Sequence, residues 1–431
     1  MRHAIASLLL FPCICASAQT HDLIGYWQNW NDGNAPYMEL SEVDARYSII
    51  EVAFAEPAAG TTYDMVFAPA ETDAATFIAD VATLQDAGRN VLISIGGANA
   101  TVQLNTAEER DQFVSSMLQI MDTYGFDGMD LDLEGTSVNI SGGTIGVPSD
   151  AKIINLIAAV HSIADAFETE HGRRMLLTMA PETAYVQGGQ SAFGGIWGAY
   201  LPIIQALRDR LDILQVQFYN SGSMFGLDGG IYEQGTADFI VSQTEVLLQG
   251  FTTAGGFFEP LPAEKVAIGL PACPSAAGGG YTDPDVVAAA VAYLRGTGPQ
   301  PGSYTRISTY PTLRGLMTWS INWDAVSSCN ASSTEFAQSY QDIFGIGTGI
   351  DQPTAADQDR LWPSILRAGH VLHLDHADRV IHLYDALGRS AATLNAQNGT
   401  VHTPATLAPG RYWIRSVDNS GIVHRASFMI E

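Results

Sequence analysis

The chain has 431 residues, 46% of them hydrophobic and only 15% charged, enough for a large core and unlike a coiled coil or a disordered chain. Asp and Glu outnumber Lys and Arg by 46 to 20, a formal charge of −26, which argues against nucleic acid as a partner and for a neutral or cationic one. A bland contribution of the same charge is the solubility of an exported protein.

The N-terminus reads as a secretory signal. Arg2 and His3 precede an apolar run at residues 4–15 that is too short to span a bilayer. Ala16-Ser17-Ala18 then fits a cleavage site, so residues 1–18 are expected to be removed. No later apolar run has the length of a membrane span. The cysteines beyond the signal are Cys273 and Cys329. They either pair in an oxidising compartment or stay as two free structural thiols, and their spacing fits no metal site.

From about residue 23 to 345, strand-like and helix-like stretches alternate. Strands are expected at residues 23–30, 48–55, 90–97, 128–134, 175–180, 213–220, 265–271 and 315–323. Helical periodicity falls between them at 74–87, 107–124, 151–167, 197–208, 237–249 and 284–294. Eight such repeats predict a (β/α)8 TIM barrel over residues 19–350, with its site at the C-terminal ends of the strands. Two loops rich in Gly and Ser, at 137–150 and 187–195, would lie on that face. Residues 351–360 read as a polar linker. Residues 361–431 show short strands, turns and no helical period, which predicts a small all-β sandwich as a second domain.

The most informative stretch is Asp127-Gly128-Met129-Asp130-Leu131-Asp132-Leu133-Glu134. Side chains alternate along a strand, so Asp130, Asp132 and Glu134 share one face and the apolar residues the other. In a barrel the acids then point inward. Burying three carboxyls without purpose is expensive, and like charges so close must share protons. A carboxyl kept protonated near neutral pH is what a general acid requires. Asp127 reads better as a turn residue at the strand entry. Gln215, Gln217 and Tyr219 alternate onto one face of the sixth strand, and Tyr26 and Gln28 do so on the first.

This run resembles the DGxDxDxE signature of the family 18 glycoside hydrolases, the chitinases. Ser94-Ile95-Gly96-Gly97 resembles the family's third-strand element. Met179-Ala180-Pro181-Glu182 resembles the fifth strand of a bacterial subgroup, and Gln217-Phe218-Tyr219-Asn220 the sixth. Met317-Thr318-Trp319-Ser320, with Asn322-Trp323-Asp324, resembles the eighth. The resemblance implies a retaining, substrate-assisted hydrolysis of chitin or chitooligosaccharides. By it, Glu134 protonates the glycosidic oxygen and later activates water. Asp132 stabilises the substrate's acetamido group, Asp130 shares a proton with Asp132, and Tyr219 orients the acetamido carbonyl. Tyr26, Phe54, Gly97, Met179, Gln217, Asn220 and Trp319 would bind sugar, Trp319 as the floor beneath the reacting unit. About 40 residues separate Pro271 from Gly315, too few for the extra domain that some members carry there. An open cleft and endo cleavage are therefore expected.

In the tail, Tyr384-Asp385-Ala386-Leu387-Gly388-Arg389 and Pro409-Gly410 followed by Tyr412-Trp413-Ile414-Arg415 resemble the type IX secretion sorting domain. That implies export by the type IX machinery. A carbohydrate-binding module is the competing reading, but Trp413 is the only Trp within the sandwich proper, since Trp362 lies at its edge, and a binder of flat crystalline chitin usually shows several exposed aromatics. Two other functions stay open: an endo-β-N-acetylglucosaminidase acting on N-glycans, and a chitin-binding lectin. Glu134 and both Asp partners speak against the lectin. The ten His are scattered, so neither a metal nor another cofactor is expected, and a monomer is the default.

Overall fold

A computed structural model of the chain describes residues 21–344, 361–362, 365–374, 379–384, 390–396, 400–417 and 423–430. The expected signal at 1–18 and linker at 351–360 lie outside the described residues. Two compact units result, Met1–Ile346 and Gly347–Glu431.

The first unit is a barrel of eight parallel strands. They are β1 (Asp22–Gln28), β2 (Ile49–Pro57), β3 (Asn90–Gly96), β4 (Gly128–Asp132), β5 (Leu176–Met179), β6 (Ile213–Gln217), β7 (Val266–Pro271) and β8 (Gly315–Trp319). Each pairs with its sequence neighbours and β8 pairs with β1, so the ring closes and leaves no barrel edge. The helices are α1 (Ala74–Asp86), α2 (Ala107–Tyr124), α3 (Ala151–His171), α4 (Leu201–Ala206), α5 (Ala237–Gln249), α6 (Pro284–Arg295), α7 (Ile321–Asp324) and α8 (Glu335–Phe344). Local sequence sets their ends. Asp73 caps α1 by accepting from the backbone N–H of Ala75 and Thr76. Thr106 and Glu109 form a capping box on α2, and Gly125 at φ 75° ends it.

Alternation along the strands sorts the side chains into two cores. Trp27, Ile50, Val52, Ile93, Leu131 and Val216 face outward and pack with the helices. Ile24, Ile49, Leu92, Ile213, Ala267 and Met317 face inward and fill the lower barrel. One step further along β2 to β6, the inward residue becomes polar: Glu51, Ser94, Asp130, Thr178 and Gln215, all fully buried. One step further again lie Asp132 and Gln217, at the mouth.

Several elements end earlier than the sequence suggests. β1 stops at Gln28, β4 at Asp132 and β6 at Gln217, so Glu134, Tyr219 and Asn220 sit on the loops just past their strands. β8 ends at Trp319 because Ser320 turns the chain into α7, its hydroxyl accepting from the N–H of Trp323. The helix expected at 197–208 is only Leu201–Ala206, since Gly198 at φ 71° and Pro202 in the first turn delay its start. Two hairpins, Ser223–Phe225 with Ile231–Glu233 and Phe251–Thr253 with Gly256–Phe258, were not apparent from composition. The two Gly- and Ser-rich loops are joined: Ile140 and Gly195 exchange backbone hydrogen bonds of 2.8 and 2.7 Å.

Cys273 and Cys329 form a disulfide with their Cα atoms 5.8 Å apart, which decides between the two readings of these residues. It closes a loop of 56 residues, worth about 4 kcal/mol in the chain-entropy account. No described helix is long and apolar enough to cross a membrane.

In the second unit, Ile365–Leu366, Val423–Ile430, Gly410–Val417, Arg379–Tyr384 and Ser390–Ala396 form one sheet, in that order. Leu361–Trp362, Val371–Leu374 and Thr400–His402 form another. Leu372, Ile381, Leu383, Val401, Tyr412 and Ile430 make a small apolar cluster. Of the tail motifs, Asp385, Gly388 and Arg389 lie outside the described residues.

Candidate active site

A cavity of about 430 Å³ opens at the C-terminal mouth of the barrel. Asp132, Glu134 and Glu182 line it together with Gln217, Tyr219, Asn220, Phe54 and Trp319. With Glu56, four carboxyl residues thus line one small space, and among the described residues no basic side chain is part of its walls.

The acids are stacked by strand geometry. Glu51 on β2 and Asp130 on β4 lie in the fully buried polar layer, and Asp132 at 3% exposure lies one inward step above Asp130. Asp130 is saturated with hydroxyl donors. Tyr26 and Ser94 each donate to Oδ2 at 2.7 Å, and the Thr178 hydroxyl lies 2.6 Å from Oδ1. Asp132 has a single side-chain donor among the described residues, Gln217 Nε2 at 2.8 Å from Oδ1. Gln217 is steered there because the same nitrogen also donates to the Ala180 carbonyl at 2.9 Å.

Glu134 follows two residues beyond the strand end. From Leu133 the Tyr200 hydroxyl takes the place of a strand partner: it accepts from Leu133 N–H at 2.7 Å and also donates, at 3.1 Å, to the Leu131 carbonyl that Ala180 N–H still reaches at 3.0 Å. Glu134 therefore hangs over the cavity, and among the described residues its side chain has just one long hydrogen bond, 3.5 Å from Gln217 Nε2. Burial, and secondarily the nearby Glu182, push its pKa up to about 7. Burial first, then the charges of Glu134 and Asp130, hold Asp132 well above the usual carboxylate range. Burial likewise raises Asp130, Glu182 and Glu51. Burial also raises Tyr219, so its hydroxyl keeps its proton across the working pH range.

An aromatic wall completes the cavity. The Phe54 and Trp319 rings are 6.0 Å apart and 10° from parallel, and Trp30 lies 6.3 Å from Trp319. Two peptide bonds beside this wall, Ala53–Phe54 and Trp319–Ser320, are cis. Gly97 at φ 75° is required on this wall: a Cβ there would come within 2.7 Å of the Phe54 ring. Asn220, at φ 52°, binds the loop after β7 by accepting from the Gly279 N–H at 3.1 Å through its side chain.

Two of the expected sugar-binding residues lie elsewhere. Met179 is fully buried in the outer core, because the inward positions of its strand are Leu176 and Thr178. Tyr26 is 1% exposed and sits beneath the cavity, where it holds Asp130 instead of lining the wall. Asp127 is a structural anchor. It accepts from Val91 N–H at 2.9 Å and Gln85 Nε2 at 2.9 Å, and pairs with Arg173 at 2.8 Å.

Sequence reasoning left Glu51, Trp30 and the placement of Glu182 unassigned. Glu51 had a readable signal, a lone acid at an inward position of the apolar run from Ile49 to Ala55. Glu182 has a testable consequence. Its charge disfavours ionisation of Glu134, so Glu182→Gln is expected to move the alkaline limb of the kcat/KM profile to lower pH by about half a unit or more. An unmoved limb, followed with a soluble chitooligosaccharide, would remove Glu182 from the tuning of the acid.

Comparison with known proteins agrees with this geometry. The sequence profile described as glycosyl hydrolases family 18 matches residues 22–331. A chitinase of Paenibacillus xylanexedens is 48% identical over 318 residues, covering 72% of this chain and 60% of that protein. Chitinase D of Niallia circulans is 47% identical over 311 residues, covering 70% of this chain and 58% of that protein. This chain thus spans about three fifths of their length. The crystal structure of a family 18 chitinase from Chromobacterium violaceum superposes with a TM-score of 0.68 at 38% identity, covering 75% of this chain and 83% of that one.

Proposed function

Because this chain belongs to the glycosyl hydrolases of family 18, we propose that it is a secreted, retaining chitinase that cleaves β-1,4 linkages between N-acetylglucosamine units. The observation that carries this reading is the buried ladder from Asp130 through Asp132, ending at a Glu134 that faces the cavity with a pKa of about 7. At neutral pH roughly half of such a group is protonated, so it can give a proton to a leaving oxygen and then take one from water.

The sugar unit at the point of cleavage rests on Trp319 and Phe54. Its acetamido oxygen attacks the anomeric carbon as Glu134 protonates the departing oxygen, and an oxazolinium forms. Asp132 accepts from the acetamido N–H and balances the positive charge. Asp130, stabilised by its three hydroxyl donors, takes over the negative charge whenever Asp132 holds the proton. Tyr219 donates to the acetamido carbonyl, and Gln217 keeps Asp132 aimed into the cavity. Water that gives its proton to Glu134 then attacks the anomeric carbon from the face the leaving group vacated and displaces the acetamido oxygen, giving net retention.

Endo cleavage is supported by the short connection from β7 to α6, residues 272–283, which leaves no room for a domain that would wall the cleft. Secretion is supported by the signal-like N-terminus and by the Cys273–Cys329 disulfide. The second unit is read as a small β-sandwich, and its Tyr384–Arg389 and Pro409–Arg415 motifs support a type IX sorting role. The test is incubation of the mature chain with a chitin hexamer. Internal cleavage with β-anomer products is expected. An untouched hexamer together with glycan release from a glycoprotein would replace this reading with the N-glycan one.

A further inference from the structure

Glu51 is not among the residues that line the cavity, yet it is a fully buried carboxyl directly beside Asp130. The Thr178 hydroxyl lies between the two, 2.8 Å from Glu51 Oε1 and 2.6 Å from Asp130 Oδ1. A threonine hydroxyl has one hydrogen, so it can donate to only one of these oxygens. If both carboxyls were ionised, the other short contact would set two oxygens against each other with no proton between them. One carboxyl must therefore carry a hydrogen and donate it to Thr178.

The surroundings say which one. Asp130 has two further hydroxyl donors, from Tyr26 and Ser94, and its charge is spread over three strong hydrogen bonds. Glu51 is reached by the amide nitrogen of Gln215, at 2.6 and 2.7 Å from its two oxygens, and more weakly by the Tyr26 hydroxyl, whose short bond at 2.7 Å goes to Asp130. The titratable groups that face Glu51 are Asp130 on β4, Tyr26 on β1 and, further out, Asp132 and Tyr219; all are acids, and burial and Asp130 push its own proton affinity up. None of the ion pairs among the described residues reaches it.

The geometry points to Glu51 as a positioning residue that remains a neutral acid, donating to Thr178 so that Thr178 donates to Asp130 and keeps Asp130 the anionic base of the catalytic ladder. This rests on the chitinase reading above. The buried proton never leaves, so the charge available at Asp130 and Asp132 is fixed from below and does not drain into a fourth carboxylate.

The test compares Glu51→Gln with Glu51→Leu on a soluble chitooligosaccharide. Gln supplies the same neutral donor: its amide nitrogen donates to Thr178, its oxygen accepts from Gln215, and the Gln215 amide, 2.6 Å from the atom that becomes nitrogen, turns toward that oxygen. It should keep kcat within about threefold, whereas Leu, which has no donor, should lower kcat by about tenfold or more with KM within about twofold. Infrared difference spectra at neutral pH, wild type against Glu51→Gln, should show the loss of one protonated-carboxyl stretch. That band is independent of whether the Leu variant folds. A Gln variant as impaired as Leu, or a spectrum without the lost band, overturns the inference. Wild-type hydrolysis of the same substrate, with a dead Glu134→Gln, separates that failure from failure of the chitinase reading itself.

Discussion

Replacing Glu134 with Gln is expected to lower kcat on a chitin hexamer by about three orders of magnitude or more, with KM changed by less than about threefold. Gln has the same shape, so the loop after β4 and its bond from Leu133 N–H to the Tyr200 hydroxyl have no reason to move. Only the transferable proton is lost. Among the described residues the one side-chain hydrogen bond to Glu134 is the long one from Gln217, so the proton is not committed to a structural bond. The wild-type rate should also fall as pH rises through about 7, because the proposed mechanism needs Glu134 protonated. The variant's residual activity should lack that limb. A variant retaining a tenth of the wild-type rate would show that another group supplies the proton, and Glu182 on the same cavity would be the first to examine.

Much of this site is legible in the sequence because two periodicities coincide there. Asp130 and Asp132 alternate with Met129, Leu131 and Leu133, and that pattern alone separates the ladder from the outer core. The same rule, applied to β5 by motif rather than by parity, misdirects. The motif drew attention to Met179, but with Thr178 bonded to Asp130 the alternation sends Met179 outward. Strand ends were less legible, since they depend on partners from distant parts of the chain. Nothing within residues 128–134 announces that Tyr200, nearly seventy residues on, ends β4 at Asp132. Ser320, by contrast, is a local cap that could have ended β8 on sequence grounds. Tyr26 faces inward as its alternation implies, but parity does not give depth, and depth decides whether an inward residue meets the sugar or the acids beneath it.

Asp132→Asn is expected to reduce kcat by about a hundredfold, again with little change in KM. Unlike Asp130, which receives three hydroxyl hydrogens, Asp132 is held among the described residues by the Gln217 amide alone. A proton shared by the pair therefore rests more easily on Asp132 before substrate enters, consistent with the burial and neighbouring charges that raise its pKa. Asn resembles this resting, neutral form and should leave the ground state nearly intact. It cannot become an anion, so in the proposed mechanism it offers the oxazolinium a dipole where the wild type offers a charge, in a site shielded from water where that difference is large. The loss should accordingly fall on kcat. If instead KM rose and kcat held, Asp132 would be a substrate-binding group only, and stabilisation of the acetamido cation would have to come from Tyr219 and the remaining wall of the cavity.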